Sequence, residues 1–452
     1  MRTIKPDSSN EQAEQLVIQG GVPLMGSVRL GGAKNASYKL MIASILADSK
    51  SCLLNLPNIE DVRMVANVIR ELGGRAWEAG PKMLFIDPTN IKSHIIKDKY
   101  GCCSRASTLF IGPLLARFGQ AKVPLPGGDQ IGERPLDRHL FGLEQLGVKW
   151  QHKDDFLILE TEKLRGGNYR FEKNTHTGTE TLIMTAVRAE GVTVLENAAM
   201  EPEVDDLIEF LNTMGAKIER TADRVIKIEG VNQLNGAIHR VMPDRNEAVS
   251  YACAALATKG DVIIENANYK DFSAFIDKLQ EAGGGYESGK YGVRFFYQQP
   301  LKATNVQTEI HPGFMTDWQP LWATLISHAE GKSLIHETVM QNRFQYIDDL
   351  NQMGASIKPI KIEVDDPSDF YNFNWQDKKD TDIHAVEIIG PANFVGGNFR
   401  VHDLRAGATI LLAAISGTGT TVLENVGLID RGYENIDKKL SSLGARIARK
   451  KG

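Results

Sequence analysis

The chain has 452 residues, of which 42% are hydrophobic and 24% charged; this is ordinary for a globular enzyme and long enough for two or three domains. Its formal net charge of -5 excludes an overall positive electrostatic potential that would attract nucleic acid. Any anionic substrate must therefore be bound by a local cluster of Lys and Arg. The polar N-terminus and the short apolar runs argue against a secretory signal and a membrane span, which predicts a soluble cytoplasmic protein.

One helix-ending motif, an apolar residue followed by glycine, recurs six times along the chain. Its central glycines are Gly73, Gly147, Gly215, Gly283, Gly354 and Gly444. The first five lie 68 to 74 residues apart, and the last follows after 90. A glycine just past a helix can adopt the left-handed conformation that ends it. Six such endings at near-constant spacing predict six copies of one structural unit.

Each predicted unit begins with a helix that is apolar on nearly all sides and therefore buried, as in residues 183–187. A short strand follows, such as residues 194–197, and then an amphipathic helix that ends at the glycine motif. In the first unit the apolar face of that helix consists of Val62, Val65, Ile69 and Leu72. Further strands complete the unit. The predicted fold class is α/β, with grouped strands and two domains of three units each.

Polar residues collect where the buried first helices begin. In chain order these starts carry Lys34 and Asn35, Arg105, residues 177–180, residues 245–247, Asp317, and Asp403 with Arg405. A helix N-terminus suits anions, so several of them in one cleft would form an anion site despite the negative net charge. Taken alone, Asp317 and Asp403 are better explained as helix caps. Lys and Arg oppose the helix dipole at these positions, so a structural role is less natural for them.

Two further segments stand out. Residues 126–138 carry three glycines, two prolines, an acid and arginines between a predicted strand and a helix. This composition fits a mobile lid and fits equally a long connector in which Asp129 only makes a turn.

The last unit is longer by about 20 residues, and the excess lies in residues 359–384, which we interpret as a surface insertion that decorates the fold rather than a catalytic element.

Ten short motifs, in this order along nearly the whole chain, resemble the enolpyruvyl transferase family. They are residues 31–36, 105–107, 112–119, 196–199, 243–245, 316–317, 337–339, 342–344, 403–406 and 429–434. The resemblance implies two inside-out α/β domains that close over a cleft, one of residues 34–243 and the other of residues 1–33 with 244–452. It also implies transfer of the enolpyruvyl (1-carboxyvinyl) group of phosphoenolpyruvate to the 3-hydroxyl of UDP-N-acetylglucosamine, the first committed step of peptidoglycan synthesis.

The resemblance also implies residue roles. Lys34 and Asn35 would contact phosphoenolpyruvate, Arg134 and Arg405 would clamp its phosphate and carboxylate, and Asp317 would accept the proton of the sugar hydroxyl. Asp129 would take part in proton transfer or product release. The other expected substrate contacts are Arg105, Pro135, Leu136, Asp137, Arg138, His176, Thr177, Val339, Arg343, Asp403 and Arg431.

No metal or organic cofactor is expected, and the sequence does not identify a protein partner. The cysteines lack metal-binding spacing and are interpreted as reduced thiols: Cys52, Cys102, Cys103 and Cys253. The chain departs from the family pattern at two places, because Asp129 replaces a cysteine and residues 174–178 differ and are one residue longer. A lone loop histidine such as His176 is more often a simple polar contact than a substrate ligand.

Two other functions stay open at this point. One is an enolpyruvyl transferase that acts on another acceptor, such as the free nucleotide UMP; the motifs of the shikimate-pathway relative are not found. The other is a non-catalytic paralogue that only binds nucleotide sugars. An ionisable residue at position 129, together with Lys34, Asp317 and Arg405, argues against the latter.

The first prediction concerns Asp129. In the family the cysteine at this position is alkylated by the epoxide antibiotic fosfomycin, and a carboxylate is a far weaker nucleophile than a thiolate. We expect the unmodified protein to be active and insensitive to fosfomycin. Asp129→Cys should produce time-dependent inactivation with a covalent adduct and an activity optimum at higher pH, because a thiol titrates about four units above an aspartate. Rapid inactivation of the unmodified protein would contradict this expectation.

Overall fold

The structure is a computed structural model that describes residues 14–101, 105–125 and 135–451. Its strands are β1 (Glu14–Gln19), β2 (Met25–Arg29), β3 (Ser51–Leu54), β4 (Arg75–Gly80), β5 (Met83–Asp87), β6 (Gln120–Pro124), β7 (Lys149–Lys153), β8 (Phe156–Glu160), β9 (Asn168–Arg170), β10 (Val192–Glu196), β11 (Lys217–Ala222), β12 (Val225–Glu229), β13 (Ile238–Arg240), β14 (Asp261–Glu265), β15 (Gly285–Gly289), β16 (Gly292–Phe296), β17 (Val306–Gln307), β18 (Gly331–His336), β19 (Ile357–Ile360), β20 (Ala385–Gly390), β21 (Asn398–Arg400), β22 (Thr420–Glu424) and β23 (Arg446–Lys451).

The helices alternate with these strands. They are α1 (Lys34–Ala43), α2 (Glu60–Glu71), α3 (Ala106–Leu109), α4 (Ile111–Phe118), α5 (Asp137–Gln145), α6 (His176–Ala186), α7 (Pro202–Thr213), α8 (Arg245–Ala257), α9 (Ser273–Glu281), α10 (Gln319–Ile326), α11 (Ile347–Gln352), α12 (Pro367–Phe370), α13 (Leu404–Ser416), α14 (Gly427–Asp430) and α15 (Ile436–Ser442). Within the described ranges, no helix is both long and apolar enough to cross a membrane.

The third repeat shows the unit in full. Strand β9 runs parallel to β10 with α6 between them, and α7 then leads into the hairpin β11–β12, whose second strand pairs antiparallel with β10. The resulting order β11-β12-β10-β9 recurs in the other four-stranded sheets. Among the described residues of the second repeat there are three strands, and a single parallel bridge between Ile95 and Lys122 takes the place of the edge strand. The predicted six-unit α/β architecture is confirmed.

Three sheets are completed by strands from distant parts of the chain. Strand β1 lies between β22 and β23 in the sixth repeat, and β2 pairs with β14 in the fourth. Strand β13 pairs with β3 and so closes the first repeat with chain from the end of the third. The N-terminal segment therefore holds together the repeats at the two ends of the second half of the chain.

The glycines that end the amphipathic helices all have a left-handed backbone. Their φ angles lie between +84° at Gly283 and +111° at Gly354. A side chain is strained at such angles, so glycine is the residue that ends these helices at little cost. The sequence prediction of the six helix ends is confirmed.

A second left-handed residue recurs directly after the second strand of several repeats. Asn55, Asn197 and Asn425 have φ angles between +50° and +62°. Each donates its side-chain N–H to the carbonyl of the residue that follows the first strand of its repeat, at 2.9 to 3.0 Å. This hydrogen bond fixes the chain just before the buried helix begins, and the polar side chains lie at those helix starts.

The apolar core is divided between two clusters. One contains buried residues between Ala33 and Val241, and the other contains residues from 16–30 and 248–445. In the second cluster α8, α10 and α13 pack against one another, and in the first α6 packs against α3 and α4. We propose the domain division stated from the sequence, and call residues 34–243 the first half and residues 1–33 with 244–452 the second half.

Candidate active site

A cavity of about 270 Å³ lies between the two halves of the chain. The start of the buried helix in every repeat contributes to its wall: Lys34 and Asn35, Arg105, residues 175–177, Arg245, Asp317, and residues 403–405. The structure therefore brings together the polar helix starts that the sequence singled out. Because a helix start carries a partial positive charge, this arrangement favours anionic ligands.

Two of the aspartates at this site cap helices. Asp244 accepts the N–H of Lys34 at 2.8 Å and the N–H groups of Asn246 and Glu247 at 2.8 and 3.0 Å, so it caps α1 and α8 together. Burial, reinforced by nearby Glu247, raises the pKa of Asp244. Asp403 accepts the N–H of Arg405 at 2.8 Å and caps α13. Both caps fix the backbone of a cation that lines the cavity, and the Asp244 cap joins the two halves.

Asp317 is shared by two arginines. Its Oδ1 accepts from Arg343 at 2.6 Å and its Oδ2 accepts from Arg405 at 3.4 Å, while Arg405 also donates to the Tyr433 hydroxyl at 2.7 Å. Burial opposes ionisation of Asp317, but Arg405, Arg343 and Lys34 outweigh it and hold its pKa well below the ordinary value. Asp317 is therefore a charged and very weak base as long as both arginines are turned towards it.

Asp61 is shared in the same way. Its Oδ2 lies 2.9 Å from the Lys34 ammonium and its Oδ1 lies 3.6 Å from Arg431, and Asp61 itself is buried. In each of these two triads, one carboxylate contacts two cations, so the three groups together carry one net positive charge. Two positively charged triads at one cavity form a site for a ligand with more than one anionic group.

A less charged wall of the cavity carries the expected nucleotide-sugar contacts. Thr177 Oγ1 lies 3.1 Å from His139 Nε2. Burial, together with Arg105, lowers the pKa of His139 to about 3, so the ring is neutral near pH 7 and holds Thr177 without adding charge. His176 lines the cavity beside the buried pair of Lys39 and Glu180, whose charged atoms are 2.6 Å apart. Its Nδ1 is 3.3 Å from the Lys39 nitrogen.

The remaining expected contacts divide into three groups. Pro135, Arg138 and Val339 line the cavity with the residues already described. Leu136 is buried in the apolar cluster of the first half and Asp137 is exposed, so the structure does not bring their side chains to the wall. Asp129 and Arg134, with most of the proposed lid, lie outside the described residues, as do Cys102 and Cys103. Cys52 and Cys253 are free and buried.

Sequence reasoning missed several cavity residues. Asp61 is in the first turn of α2, where an acid is explained by the helix dipole alone. Lys39 gave a usable signal, because it is a charge within a helix that is otherwise buried. Its partner Glu180 belongs to a helix start that the sequence had already singled out. The insertion 359–384 also differs from its interpretation as a surface decoration, since it contributes residues 372–374 to the wall.

Comparisons with known proteins agree with this geometry. The family model of EPSP synthase (3-phosphoshikimate 1-carboxyvinyltransferase) matches residues 18–440. The UDP-N-acetylglucosamine 1-carboxyvinyltransferase of Protochlamydia amoebophila is 38% identical over 441 residues, which cover 96% of this chain and 94% of the relative. The enzyme of the same name from Acidobacterium capsulatum is 39% identical over 446 residues, 96% of each chain.

Two solved structures share the fold. The enolpyruvyl transferase NikO from Streptomyces tendae has a TM-score of 0.83 at 22% identity and covers 98% of this chain and 100% of its own. An EPSP synthase from Acinetobacter baumannii has a TM-score of 0.71 at 16% identity and covers 97% of this chain and 100% of its own. They confirm the predicted enolpyruvyl transferase fold.

The buried pair beside the cavity gives a stability prediction. Glu180→Leu should lower the free energy of unfolding by about 3–5 kcal/mol, because it leaves the Lys39 ammonium buried without its carboxylate. The double variant Lys39→Met with Glu180→Leu should recover most of the loss. Glu229→Ala, which breaks an exposed ion pair with Lys217, is the control and should cost less than about 1 kcal/mol. Urea unfolding measures all three, and equal losses in the single variant and the control would contradict the prediction.

Proposed function

We propose that this transferase moves the enolpyruvyl group of phosphoenolpyruvate to the 3-hydroxyl of UDP-N-acetylglucosamine and releases phosphate. The chain belongs to the EPSP synthase family, and it is 38% identical to a UDP-N-acetylglucosamine 1-carboxyvinyltransferase over nearly its whole length. The observation that carries the proposal is the pair of positively charged triads, built on Asp317 and on Asp61, in the wall of one cavity between the two halves.

The charges of the substrates match these triads. Phosphoenolpyruvate carries a phosphate and a carboxylate, and the acceptor adds two phosphate charges. The planar guanidinium groups of Arg343 and Arg405 suit the paired oxygens of a carboxylate or phosphate, whereas the Lys34 ammonium acts as a compact point charge. Each cation is held in place by a carboxylate before the ligand arrives, so little reorganisation is needed when negative charge develops.

The reaction has an addition step and an elimination step. In the addition, a proton reaches C3 of phosphoenolpyruvate and the 3-hydroxyl oxygen of the sugar bonds to C2, while that hydroxyl loses its proton. In the elimination, the C2–O bond to phosphate breaks and C3 loses a proton, which restores the vinyl group. We assign the hydroxyl proton to Asp317 and the stabilisation of the adduct's phosphate and carboxylate to Lys34 and Arg405. From the sequence alone, Asp129 is proposed to take part in proton transfer or product release.

Asp317 becomes an effective base only when the site is filled. In the structure its two arginines depress its pKa, so it would remove a hydroxyl proton poorly. Anionic groups of phosphoenolpyruvate that bind Arg343 and Arg405 offset their charge, and the basicity of Asp317 then rises. This couples proton abstraction to the presence of the enolpyruvyl donor. We place the reaction in the cytoplasm, at the first committed step of peptidoglycan synthesis, on the resemblance to the named relatives.

The activity prediction uses phosphate release from phosphoenolpyruvate. Release should require UDP-N-acetylglucosamine, and UMP or shikimate 3-phosphate should not replace it. Arg405→Ala should lower the rate about 10²–10³-fold, because a charge-assisted donor is lost where negative charge develops. Arg294→Ala is the control. It removes an arginine of strand β16 that is paired with Asp261, and it should leave the rate unchanged. Faster release with UMP, or near-normal release by Arg405→Ala, would contradict the proposal.

The state of Asp317 gives a pH prediction. A base must be ionised to accept a proton. Because the arginines lower the pKa of Asp317, the enzyme should lose activity through protonation of Asp317 only on the acid side, at pH values below the ordinary aspartate range. Arg343→Gln removes one cation, so the pKa of Asp317 should rise and the acid limb of kcat/KM should move to higher pH. Rates of phosphate release measured from neutral pH down to the lowest pH at which the protein stays folded follow this limb, which reports the free enzyme. If kcat/KM falls at the same acid pH in Arg343→Gln as in the wild-type protein and the Arg294→Ala control, Asp317 is not the base.

A further inference from the structure

The insertion 359–384 forms part of the wall of the cavity. In the fifth repeat, strands β19 and β20 form the hairpin that a short turn closes elsewhere, for example between β11 and β12. Residues 361–384 replace that turn and include the short helix α12. The segment then supplies Asn372, Phe373 and Asn374 to the cavity wall.

Aromatic packing and hydrogen bonds fix the segment to its own half. The rings of Tyr371 and Trp375 stack with centroids 4.5 Å apart and an interplanar angle of 8°, and the Tyr371 hydroxyl lies 2.9 Å from His336 Nε2. The N–H of Asn372 donates to the carbonyl of Thr338 at 2.8 Å. The position of residues 372–374 is therefore set by the folded second half rather than by contact with a ligand.

The same residues bond to the first half across the cavity. Arg138 Nη2 donates to the Asn372 carbonyl at 2.8 Å and to Asn374 Oδ1 at 3.0 Å, and Arg138 Nη1 donates to the Asn174 carbonyl at 3.3 Å. Asn372 Nδ2 donates to the same Asn174 carbonyl at 3.0 Å, and Lys173 donates to the Asp369 carbonyl at 2.9 Å. Two segments that the sequence singled out, the insertion and residues 174–178, thus meet here.

The chemistry of this wall differs from that of the two triads. The groups that accept from Arg138 are neutral carbonyl and amide oxygens, whereas the cations of the triads are held by carboxylates. Burial lowers the pKa of Arg138, but a guanidinium stays charged near neutral pH. Amides can both donate and accept along the edge of a heterocycle. The Phe373 ring is buried against Trp375 and His384, so the polar groups of Asn372 and Asn374 are the ones that can meet a ligand. A nucleobase and its ribose fit this wall better than a further phosphate does.

We propose that residues 372–374 and Arg138 form the wall that binds the nucleoside end of the acceptor, and that Asn374 determines the affinity for this acceptor. The inference rests on the proposed function, which makes the acceptor a uridine nucleotide sugar. It assigns a binding role to the insertion, and it separates this wall from the triads that bind phosphoenolpyruvate.

The test compares Asn374→Ala with the wild-type protein. Binding of UDP and of UDP-N-acetylglucosamine is measured by calorimetry, and KM for each substrate is measured by phosphate release. The variant should bind both nucleotides about tenfold more weakly, because it loses the amide and one hydrogen bond to a charged group. Its KM for phosphoenolpyruvate should stay within about twofold. Asp380→Ala changes an exposed residue of the same segment and should leave every value unchanged.

Each outcome decides between explanations. Wild-type affinity for both nucleotides in Asn374→Ala would overturn the inference. Equal weakening of the binding of the nucleotides and of phosphoenolpyruvate would also overturn it, because that result would indicate a general effect on the cleft. Asn374→Asp keeps an oxygen for Arg138 but loses the amide N–H, and it replaces the alanine variant if that variant fails to fold. Asn374→Asp should also bind UDP more weakly than the wild-type protein does. Unchanged binding of UDP would overturn the inference. A wild-type protein that binds phosphoenolpyruvate but neither nucleotide would contradict the proposed acceptor itself.

Discussion

The sharing of one carboxylate between two cations is the interaction on which the rest of the site depends. Asp317 holds Arg343 and Arg405, and Asp61 holds Lys34 and Arg431. Each carboxylate offsets part of the repulsion between cations that would otherwise be driven apart, and each triad keeps a positive charge for a ligand. The same sharing makes Asp317 a poor base until an anion arrives, so binding and proton transfer are linked by one set of charges.

The repeat architecture explains why these charges meet. Several buried helices begin a few residues after a strand, as α6 does after β9, and a left-handed asparagine such as Asn197 fixes that junction. Because the buried helices pack together in the two apolar clusters, their starts face a single cavity between the halves. Asp244 caps one helix from each half, so the geometry of the cavity depends on the contact between the halves as well as on each core.

Local signals carried most of the fold and part of the site. The helix-ending glycines and the polar helix starts are encoded within a few residues, and both were predictable from the sequence. Asp61 and the insertion were not, because their importance comes from partners far away in the chain: Asp61 meets Arg431, and Asn372 meets Arg138. The Leu136 side chain lies in the core rather than at the cavity wall because tertiary packing buries it, so the substrate contact expected of this residue stays a prediction. A motif gives the position of a segment but not the direction of each side chain.

The most direct test of the account is a crystal structure of the protein with UDP-N-acetylglucosamine and an unreactive analogue of phosphoenolpyruvate. The account predicts the analogue's phosphate and carboxylate on Lys34, Arg343 and Arg405, the sugar 3-hydroxyl within hydrogen-bond distance of Asp317, and the uracil ring against residues 372–374. A ligand bound outside the cavity between the two halves, or a 3-hydroxyl directed away from Asp317, would contradict the central claim that the two triads form the site of enolpyruvyl transfer.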